Sequence, residues 1–478
     1  MSKRGRGRGH GKRVSKGSER EPEECLVSEV AHSGLRTLRF HVAGIDIGSE
    51  EHYVCGPALA SGKANIRVFS TTTKSLNELA DWLIEQKVES VAMESTHVYW
   101  IPVYELLESR GLEVLLVNSR QLKNVSGRKS DLQDCQWIQI LHSCGLLAGS
   151  FRPSESICQL RALHRQRKQL IEKQVQAVQW MQKACDQMNV QVHRAVTAIT
   201  GKTGMSIVRA IVAGERDPST LAQFRDKRCK KSEEEIAEYL TGTWRDEHLF
   251  NLASALRVYD NLQKEIEAYD RELNDVLVKL QPEERKNASA PTHPNPNKEL
   301  AIKRRGEQAL RTQLWRFAGH DITRIEGISP SAAAIILTEI GFDLSSFPTE
   351  KQFIAWLRLY PNQPVSGGKV LKKRRNGTGA NRVAGILRIA ALSLHRSKTA
   401  LGASFRRLAR LKSAKVAIFA TARKLAQFLY RMLKYGQYFV DEGEAAFAQR
   451  FNQKRLTALR RTATVLGYAL VPTAEAAK

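Results

Sequence analysis

The chain has 478 residues, 42% of them hydrophobic, which is too long for a single core and predicts two or three domains. Its 75 lysines and arginines against 49 acidic residues give a formal net charge of +26, which points to a polyanionic partner, with nucleic acid as the default. No apolar run approaches the ~20 residues of a transmembrane helix, and the polar, basic N-terminus has no signal-peptide pattern. Seven cysteines without a CxxC pair predict reduced thiols of a cytoplasmic protein.

Two segments make up the N-terminal part. Residues 1–38 alternate glycine with lysine and arginine and are predicted to form a disordered basic arm. Residues 39–150 carry predicted strands at 40–47, 53–59, 64–70, 90–93 and 113–117, with helices at 74–87 and 98–110. Three strands followed by strand–helix alternation predict a mixed sheet covered by helices.

Two carboxylates mark the strands of this predicted sheet. Asp46 lies within the first strand, and Glu94 closes the fourth. An unpaired carboxylate in a central strand costs several kcal/mol, so Asp46 either binds something or lies on an edge strand that faces water. If the first and fourth strands are central neighbours, the two carboxylates meet.

Two further carboxylates lie on a helix that Ser130 can cap. Asp131 and Asp134 are three residues apart and share one helical face. They either share a cation or simply complement the helix dipole. The four carboxylates together suit Mg²⁺ or Mn²⁺ in phosphoryl transfer, which is the layout of the ribonuclease-H-like, RuvC-type nucleases.

The middle of the chain is predicted to be helical. Residues 151–280 contain two long segments, 157–187 and 249–280, with apolar residues at heptad-like intervals, which predicts an antiparallel coiled coil or a dimer seam. Residues 281–300 carry four prolines among Asn, Ser and Ala and are predicted to be a linker at a domain boundary.

The C-terminal part is predicted to be a mostly helical domain over 301–440 with a tail over 441–478. Residues 322–341 predict a helix–hairpin–helix-like segment, which either offers N–H groups to a DNA phosphate or is a plain helical turn. Residues 351–440 contain 20 lysines and arginines and no acid, which predicts the main nucleic-acid surface. The cations assigned to that role are Lys369, Lys372, Lys373, Arg374, Arg375 and Arg382.

One serine stands out in this basic surface. Ser366 lies on a loop flanked by proline and glycine and next to the cations. Backbone freedom and positive potential would present its hydroxyl to a phosphate, and the alternative is a simple turn serine.

Several motifs together resemble one known family. They are Gly44-Ile-Asp-Ile-Gly48, Met93-Glu-Ser95, Gly127-Arg-Lys-Ser-Asp-Leu-Gln-Asp134, Ile325-Glu-Gly-Ile-Ser-Pro330 and Ser366-Gly-Gly-Lys369. In this order they resemble the DEDD transposases of insertion-sequence family one-ten. The resemblance implies a RuvC-like domain, a coiled-coil middle and a C-terminal transposase domain. It also implies that Asp46, Glu94, Asp131 and Asp134 hold catalytic metal and that Ser366 is the nucleophile.

The same resemblance implies partners and leaves alternatives. Family members act on donor and target DNA under the guidance of a bridge RNA, and a homo-oligomer, dimer or tetramer, is expected. The leading hypothesis is therefore a transposase that acts as a site-specific recombinase through a composite site. One alternative is a RuvC-type nuclease that uses metal-activated water, and another is a nucleic-acid-binding scaffold without enzymatic activity. Trapping a covalent protein–DNA adduct separates the first hypothesis from the other two.

Overall fold

The computed structural model describes residues 36–59, 64–95, 97–118, 131–360, 365–367, 369–370, 381–438 and 442–471. The chain forms two compact units, Met1–Phe151 and Arg152–Lys478. Most of the predicted basic arm and the cations Lys372, Lys373, Arg374 and Arg375 lie outside the described residues.

The first unit contains a five-stranded mixed sheet. Its strands are β1 (Val42–Ile47), β2 (Glu51–Gly56), β3 (Asn65–Ser70), β4 (Ser90–Glu94) and β5 (Glu113–Val117), in the order β3-β2-β1-β4-β5. The first three strands are antiparallel neighbours, whereas β4 and β5 run parallel to β1. This is the ribonuclease-H-like arrangement, so the predicted fold class is confirmed.

Helices cover both faces of the sheet. They are α1 (Thr73–Glu85), α2 (Trp100–Ser109) and α3 (Asp131–Ser143). Because side chains alternate along a strand, Ile45 and Met93 point into the core formed with α1 and α2. On the opposite face Ala92 packs with Ile138 of α3.

The second unit begins with two long helices and a group of short ones. They are α4 (Glu155–Gln187), α5 (Val192–Ala195), α6 (Lys202–Ala213), α7 (Pro218–Ala222), α8 (Glu233–Leu240) and α9 (Asp246–Lys279). Arg167 of α4 pairs with Asp270 of α9, and Gln174 bonds Gln263, so the two long helices run antiparallel. The coiled-coil geometry of this pair stays a prediction.

The rest of the second unit is mainly helical. It comprises α10 (Pro296–Arg304), α11 (Gln308–Ala318), α12 (Pro330–Ile340), α13 (Glu350–Trp356), α14 (Arg382–Ser393), α15 (Ala400–Leu411), α16 (Ala414–Tyr435) and α17 (Gly443–Val465), with a hairpin of β6 (Val365–Ser366) and β7 (Lys369–Val370). An aromatic group of Phe347, Phe353, Trp356 and Tyr430 lies at its core. Helix α17, in the predicted tail, packs on α15, and Arg407 stacks 3.6 Å above the ring of Phe451.

Two segments differ in packing from the sequence-based expectation. Residues 281–300, predicted to be a linker, lie within the second compact unit, and His293 and Glu299 are buried there. The reason is Arg311, whose guanidinium binds Glu299 and the Pro291 carbonyl and so attaches the segment to α11. The helix predicted to begin at residue 322 is a single 3-10 turn, Ile322–Arg324, followed by a loop and α12. The predicted domain boundaries stay predictions.

Candidate functional site

Two of the four predicted carboxylates lie side by side at the carboxyl ends of parallel strands. The register of β1 and β4 pairs Ile45 with Met93, so Asp46 and Glu94 come next on their strands. Neighbouring strands are about 4.8 Å apart, and residues in register point to the same face of a sheet. Both carboxylates are partly buried. The sheet therefore brings Asp46 and Glu94 together on one face.

Helix α3 brings a third carboxylate to that face. It crosses β1 so closely that a Cβ on Gly44 would clash with the Cys135 carbonyl and the Gln139 amide. Gly44 and Asp46 are two residues apart on β1, so both face α3. Asp134 is partly buried in the first turn of α3. Asp131 opens this helix, and its side chain lies outside what the structure describes.

The thiol of Cys135 links these groups electrostatically. Burial is the main cause that raises its pKa, and the neighbouring Cys55, Asp46 and Asp134 raise the pKa further. Coulombic interactions weaken with distance, so a thiol that responds to both Asp46 and Asp134 lies near both. The face of the sheet under α3 is therefore a local centre of negative charge.

The donor chemistry of this face fits a divalent cation. Carboxylate oxygens are the ligands that Mg²⁺ and Mn²⁺ prefer. Among the side chains that the structure describes, however, no three His, Cys, Asp or Glu residues are close enough to form a metal site. Asp46, Glu94 and Asp134 therefore do not complete a ligand set by themselves, and the fourth predicted member, Asp131, is not described.

The predicted nucleophile lies on the hairpin of the second unit. β6 and β7 are antiparallel, and their register sets Ser366 opposite Lys369 across a two-residue loop. Gly367, the first residue of that loop, has φ +56°. Two-residue hairpin loops favour such left-handed angles, which glycine adopts without strain. The backbone thus places residues 366 and 369 opposite each other at the end of a tight turn.

Arg382 is the one predicted nucleic-acid contact whose side chain the structure describes. It is the first residue of α14, and its Nε lies 3.7 Å from Oε1 of Glu339. Lys369 contributes backbone to β7, and its side chain is not described.

Sequence reasoning missed two further arginines at Glu339. Arg161 and Arg165, one helical turn apart on α4, both form ion pairs with this carboxylate. A signal was present, because Glu339 is the one charged residue of the apolar helix α12. A lone acid in such a helix requires a cation from another element.

Two family models match the chain. DEDD_Tnp_IS110, described as a transposase, matches residues 43–190. The Transposase IS116/IS110/IS902 family matches residues 319–406. The chain belongs to the IS110 family of DEDD transposases. This transposase is therefore an enzyme that acts on DNA, and its DEDD character implies dependence on a divalent metal ion. The first match includes all four predicted carboxylates, and the second includes Ser366.

Comparisons with solved structures and with curated proteins provide less information than the family models. T. thermophilus RuvC in complex with Holliday junction substrate is similar to part of this transposase, with 16% identity over 23% of this chain and 99% of that chain and a TM-score of 0.19. A score at this level supports no conclusion. No curated protein matches the transposase. In the described part of the chain, none of the helices has both the length and the apolar character needed to span a bilayer.

Proposed function

We propose that this transposase is a site-specific DNA recombinase that uses Ser366 as its nucleophile and an RNA as its guide. The observation that carries the proposal is the hairpin that sets Ser366 opposite Lys369 at a two-residue turn. A serine hydroxyl is a weak nucleophile, and nearby positive charge stabilises the phosphate that it attacks. The match of residues 319–406 to a transposase family supports the same assignment.

The proposed chemistry is an exchange of phosphate esters. Ser366 Oγ attacks the phosphorus of a DNA phosphodiester and loses its proton, while one deoxyribose oxygen leaves and takes up a proton. The product is a phosphoserine ester with a free DNA hydroxyl. Because no water is consumed, the hydroxyl of another DNA end can reverse the exchange and rejoin the strands.

We assign Asp46, Glu94, Asp131 and Asp134 to holding the divalent cation, Mg²⁺ or Mn²⁺. A bound cation would supply positive charge that polarises the phosphate under attack. The assignment is supported by the strand register that makes Asp46 and Glu94 neighbours and by the position of Asp134 on α3.

The basic stretch supports the proposed partners. Residues 351–440 carry 20 lysines and arginines and no acid, which suits the phosphate backbones of DNA and of a guide RNA. Pairing between the RNA and donor or target DNA would supply sequence specificity, while the protein contacts backbone and shape. We also propose a homo-oligomer, dimer or tetramer, since Val175 and Trp180 of α4 are exposed.

The deciding experiment is a denaturing gel of labelled donor DNA incubated with RNA-loaded protein and Mg²⁺. The wild type is expected to give a shifted band that protease removes, and Ser366→Ala is expected to give none. Ser393→Ala is the matched control, because Ser393 is exposed on α14 and donates to the Ala390 carbonyl. A protease-sensitive band of equal intensity with Ser366→Ala would contradict Ser366 as the nucleophile and favour the alternative of a nuclease that uses metal-activated water.

RNA guidance has its own test. RNA that copurifies with the protein is sequenced, and the protein is then stripped of RNA and assayed with and without that RNA added back. We expect recombination to require the RNA and to follow its sequence when the pairing segments are changed. Full recombination by RNA-free protein would remove the guide from the proposal.

A further inference from the structure

Three arginines of the second unit converge on one buried carboxylate. Arg165 of α4 donates from Nε to Oε1 of Glu339 at 2.9 Å and from Nη2 to Oε2 at 2.6 Å. Arg161, one turn earlier, has its Nε 3.5 Å from Oε2, and Arg382 of α14 has its Nε 3.7 Å from Oε1. We call Arg161, Arg165 and Arg382 the arginine cluster.

The charges of this cluster do not balance. Three guanidinium groups stay charged at any working pH, and Glu339 neutralises one of them. Burial lowers the pKa of Arg161, Glu339 opposes that effect, and Arg165 and Arg152 lower the pKa further. Burial, together with Arg167 and Arg382, also lowers the pKa of His164 on the same face of α4. The site therefore retains an excess of positive charge.

Holding helices together does not require this excess. Elsewhere in the unit single pairs join helices, as Arg209 of α6 does with Asp260 of α9. Each additional arginine beside Glu339 raises the repulsion among the guanidinium groups, and the described residues supply no second carboxylate that pairs with them. The surplus cations therefore indicate an anion that binds from outside the chain.

Two guanidinium groups of the cluster are accessible to solvent. The side chains of Arg165 and Arg382 are 42% and 34% exposed, whereas that of Glu339 is 8% exposed. Arg161 is more buried, at 18% exposed, and donates from Nη2 to the Glu339 carbonyl. The Arg382 side chain forms no hydrogen bond in the described part of the chain and contacts Glu339 only as an ion pair. Glu339 thus lies beneath guanidinium groups that reach solvent.

We propose that the arginine cluster binds a backbone phosphate of nucleic acid. The planar fork of a guanidinium matches two phosphate oxygens, and an ion pair with Glu339 below fixes the arginines in place. The inference rests on the proposed function in taking nucleic acid as the partner. DNA and RNA offer the same phosphodiester, so the experiment uses both.

The test measures binding without chemistry. Fluorescence anisotropy is followed for a labelled 30-bp DNA duplex and a labelled single-stranded RNA, both of scrambled sequence, in EDTA over a series of NaCl concentrations. Arg382→Gln should weaken binding roughly tenfold and reduce the magnitude of the log–log salt slope by about 0.9 for the duplex or about 0.7 for the single strand. The nucleic acid that shows the change is the source of the phosphate. Arg209→Gln, which removes a cation from a balanced pair, should leave the slope unchanged.

Substitution of the carboxylate should act in the opposite direction. Glu339→Gln removes the negative charge from the cluster and is expected to tighten binding severalfold at low salt. Arg382→Lys keeps the charge and is expected to restore most of the slope. If Glu339→Gln does not fold by circular dichroism, the Arg382 pair of variants decides.

Salt slopes equal to the wild type for Arg382→Gln with both nucleic acids would overturn the site. A protease-sensitive adduct of equal intensity with Ser366→Ala, which would overturn the serine nucleophile, would leave this site standing, because the binding assay needs neither metal nor catalysis.

Discussion

The two compact units treat buried charge in opposite ways. In the first unit, burial holds the interior neutral: it lowers the pKa of His142 to about 4 and raises the pKa of the Cys55 thiol to about 12. The second unit buries ions instead. Arg311, which is 1% exposed, binds both Glu299 and Asp321. Neutral interiors and paired ions are the two ways in which a protein avoids the cost of an isolated buried charge.

This difference between the two units separates charged groups that stabilise the fold from those that can bind a ligand. In the first unit the carboxylates Asp46, Glu94 and Asp134 are left partly exposed, beside an interior that carries no competing charge of its own at His142 or Cys55. In the second unit, one network pairs Arg311 and Lys303 with Glu299 and Asp321, and the other places three arginines around Glu339. The balance of each network therefore separates a structural role from a binding role.

The largest expected effect is on catalysis by the first unit. Asp46→Asn keeps the size and polarity of the side chain and removes a charge that we propose holds the cation. We expect recombination to fall by roughly 10⁴-fold or more, about 5.5 kcal/mol, with unchanged melting temperature and DNA binding. Glu94→Gln should behave alike. Single-turnover recombination at saturating Mg²⁺ measures the loss.

Asp81→Asn is the matched control for this prediction. Asp81 is an exposed carboxylate of α1 that accepts a hydrogen bond from Arg110 at 2.9 Å. Its replacement should leave the rate within about twofold, since surface ion pairs contribute little. Near wild-type recombination by Asp46→Asn would show that the acidic face is structural.

The next effect is on the stability of the second unit. Arg311→Met removes the buried cation that pairs with Asp321 and leaves Glu299 with the exposed Lys303 alone, which should cost about 3–5 kcal/mol in the free energy of unfolding. Arg209→Met, at a pair whose side chains are 52% and 32% exposed, should cost less than about 1 kcal/mol. Equilibrium urea denaturation compares the two. Similar losses for both variants would contradict the distinction between buried and surface networks.

Local pattern predicted much of the first unit. Apolar alternation located all five strands within a few residues, and the order of strands and helices gave the fold class. Asp46 and Glu94 were expected to meet if their strands were central neighbours. In the structure β1 and β4 are neighbours in the middle of the sheet, and their parallel register places the two residues side by side. The close crossing of α3 over Gly44 was not predicted, because it depends on packing between elements far apart in sequence.

In the second unit, the packing depends on ion pairs between residues far apart in the chain, which local sequence patterns do not predict. Proline and asparagine over 281–300 predicted a linker, but residues 296–300 already belong to α10, and Arg311 attaches the segment to α11. The partners of Glu339 lie on α4 and α14, and neither periodicity nor motif connects them. Composition located the basic stretch, whereas the surplus of arginines at one carboxylate is visible only in three dimensions.

The smallest expected effect is the pH dependence that the first unit derives from its neutral interior. His142 is buried on α3, with its Nε2 2.9 Å from the Ser90 hydroxyl, and burial and Arg39 lower its pKa against the opposing charge of Glu113. Between pH 6.5 and about 4 the unfolded chain binds a proton at His142 that the folded chain does not. The free energy of unfolding therefore falls as the pH is lowered through this window. At about 1.4 kcal/mol per unit, the loss from pH 7.5 to 5 is roughly 2 kcal/mol.

His142→Gln tests this sign. The amide can still bond Ser90 but does not titrate, so the difference in unfolding free energy between pH 7.5 and 5.0 should shrink by roughly 2 kcal/mol. His52, whose pKa burial also lowers, accounts for a remaining slope. His41→Gln is the control, because His41 is exposed and the hydrogen bonds that it accepts, from the Glu89 and Ser90 amides, go to its backbone carbonyl. If His142→Gln and His41→Gln change the pH dependence equally, the buried histidine is not the source of acid sensitivity, and the contrast between a neutral and an ion-paired interior fails at that residue.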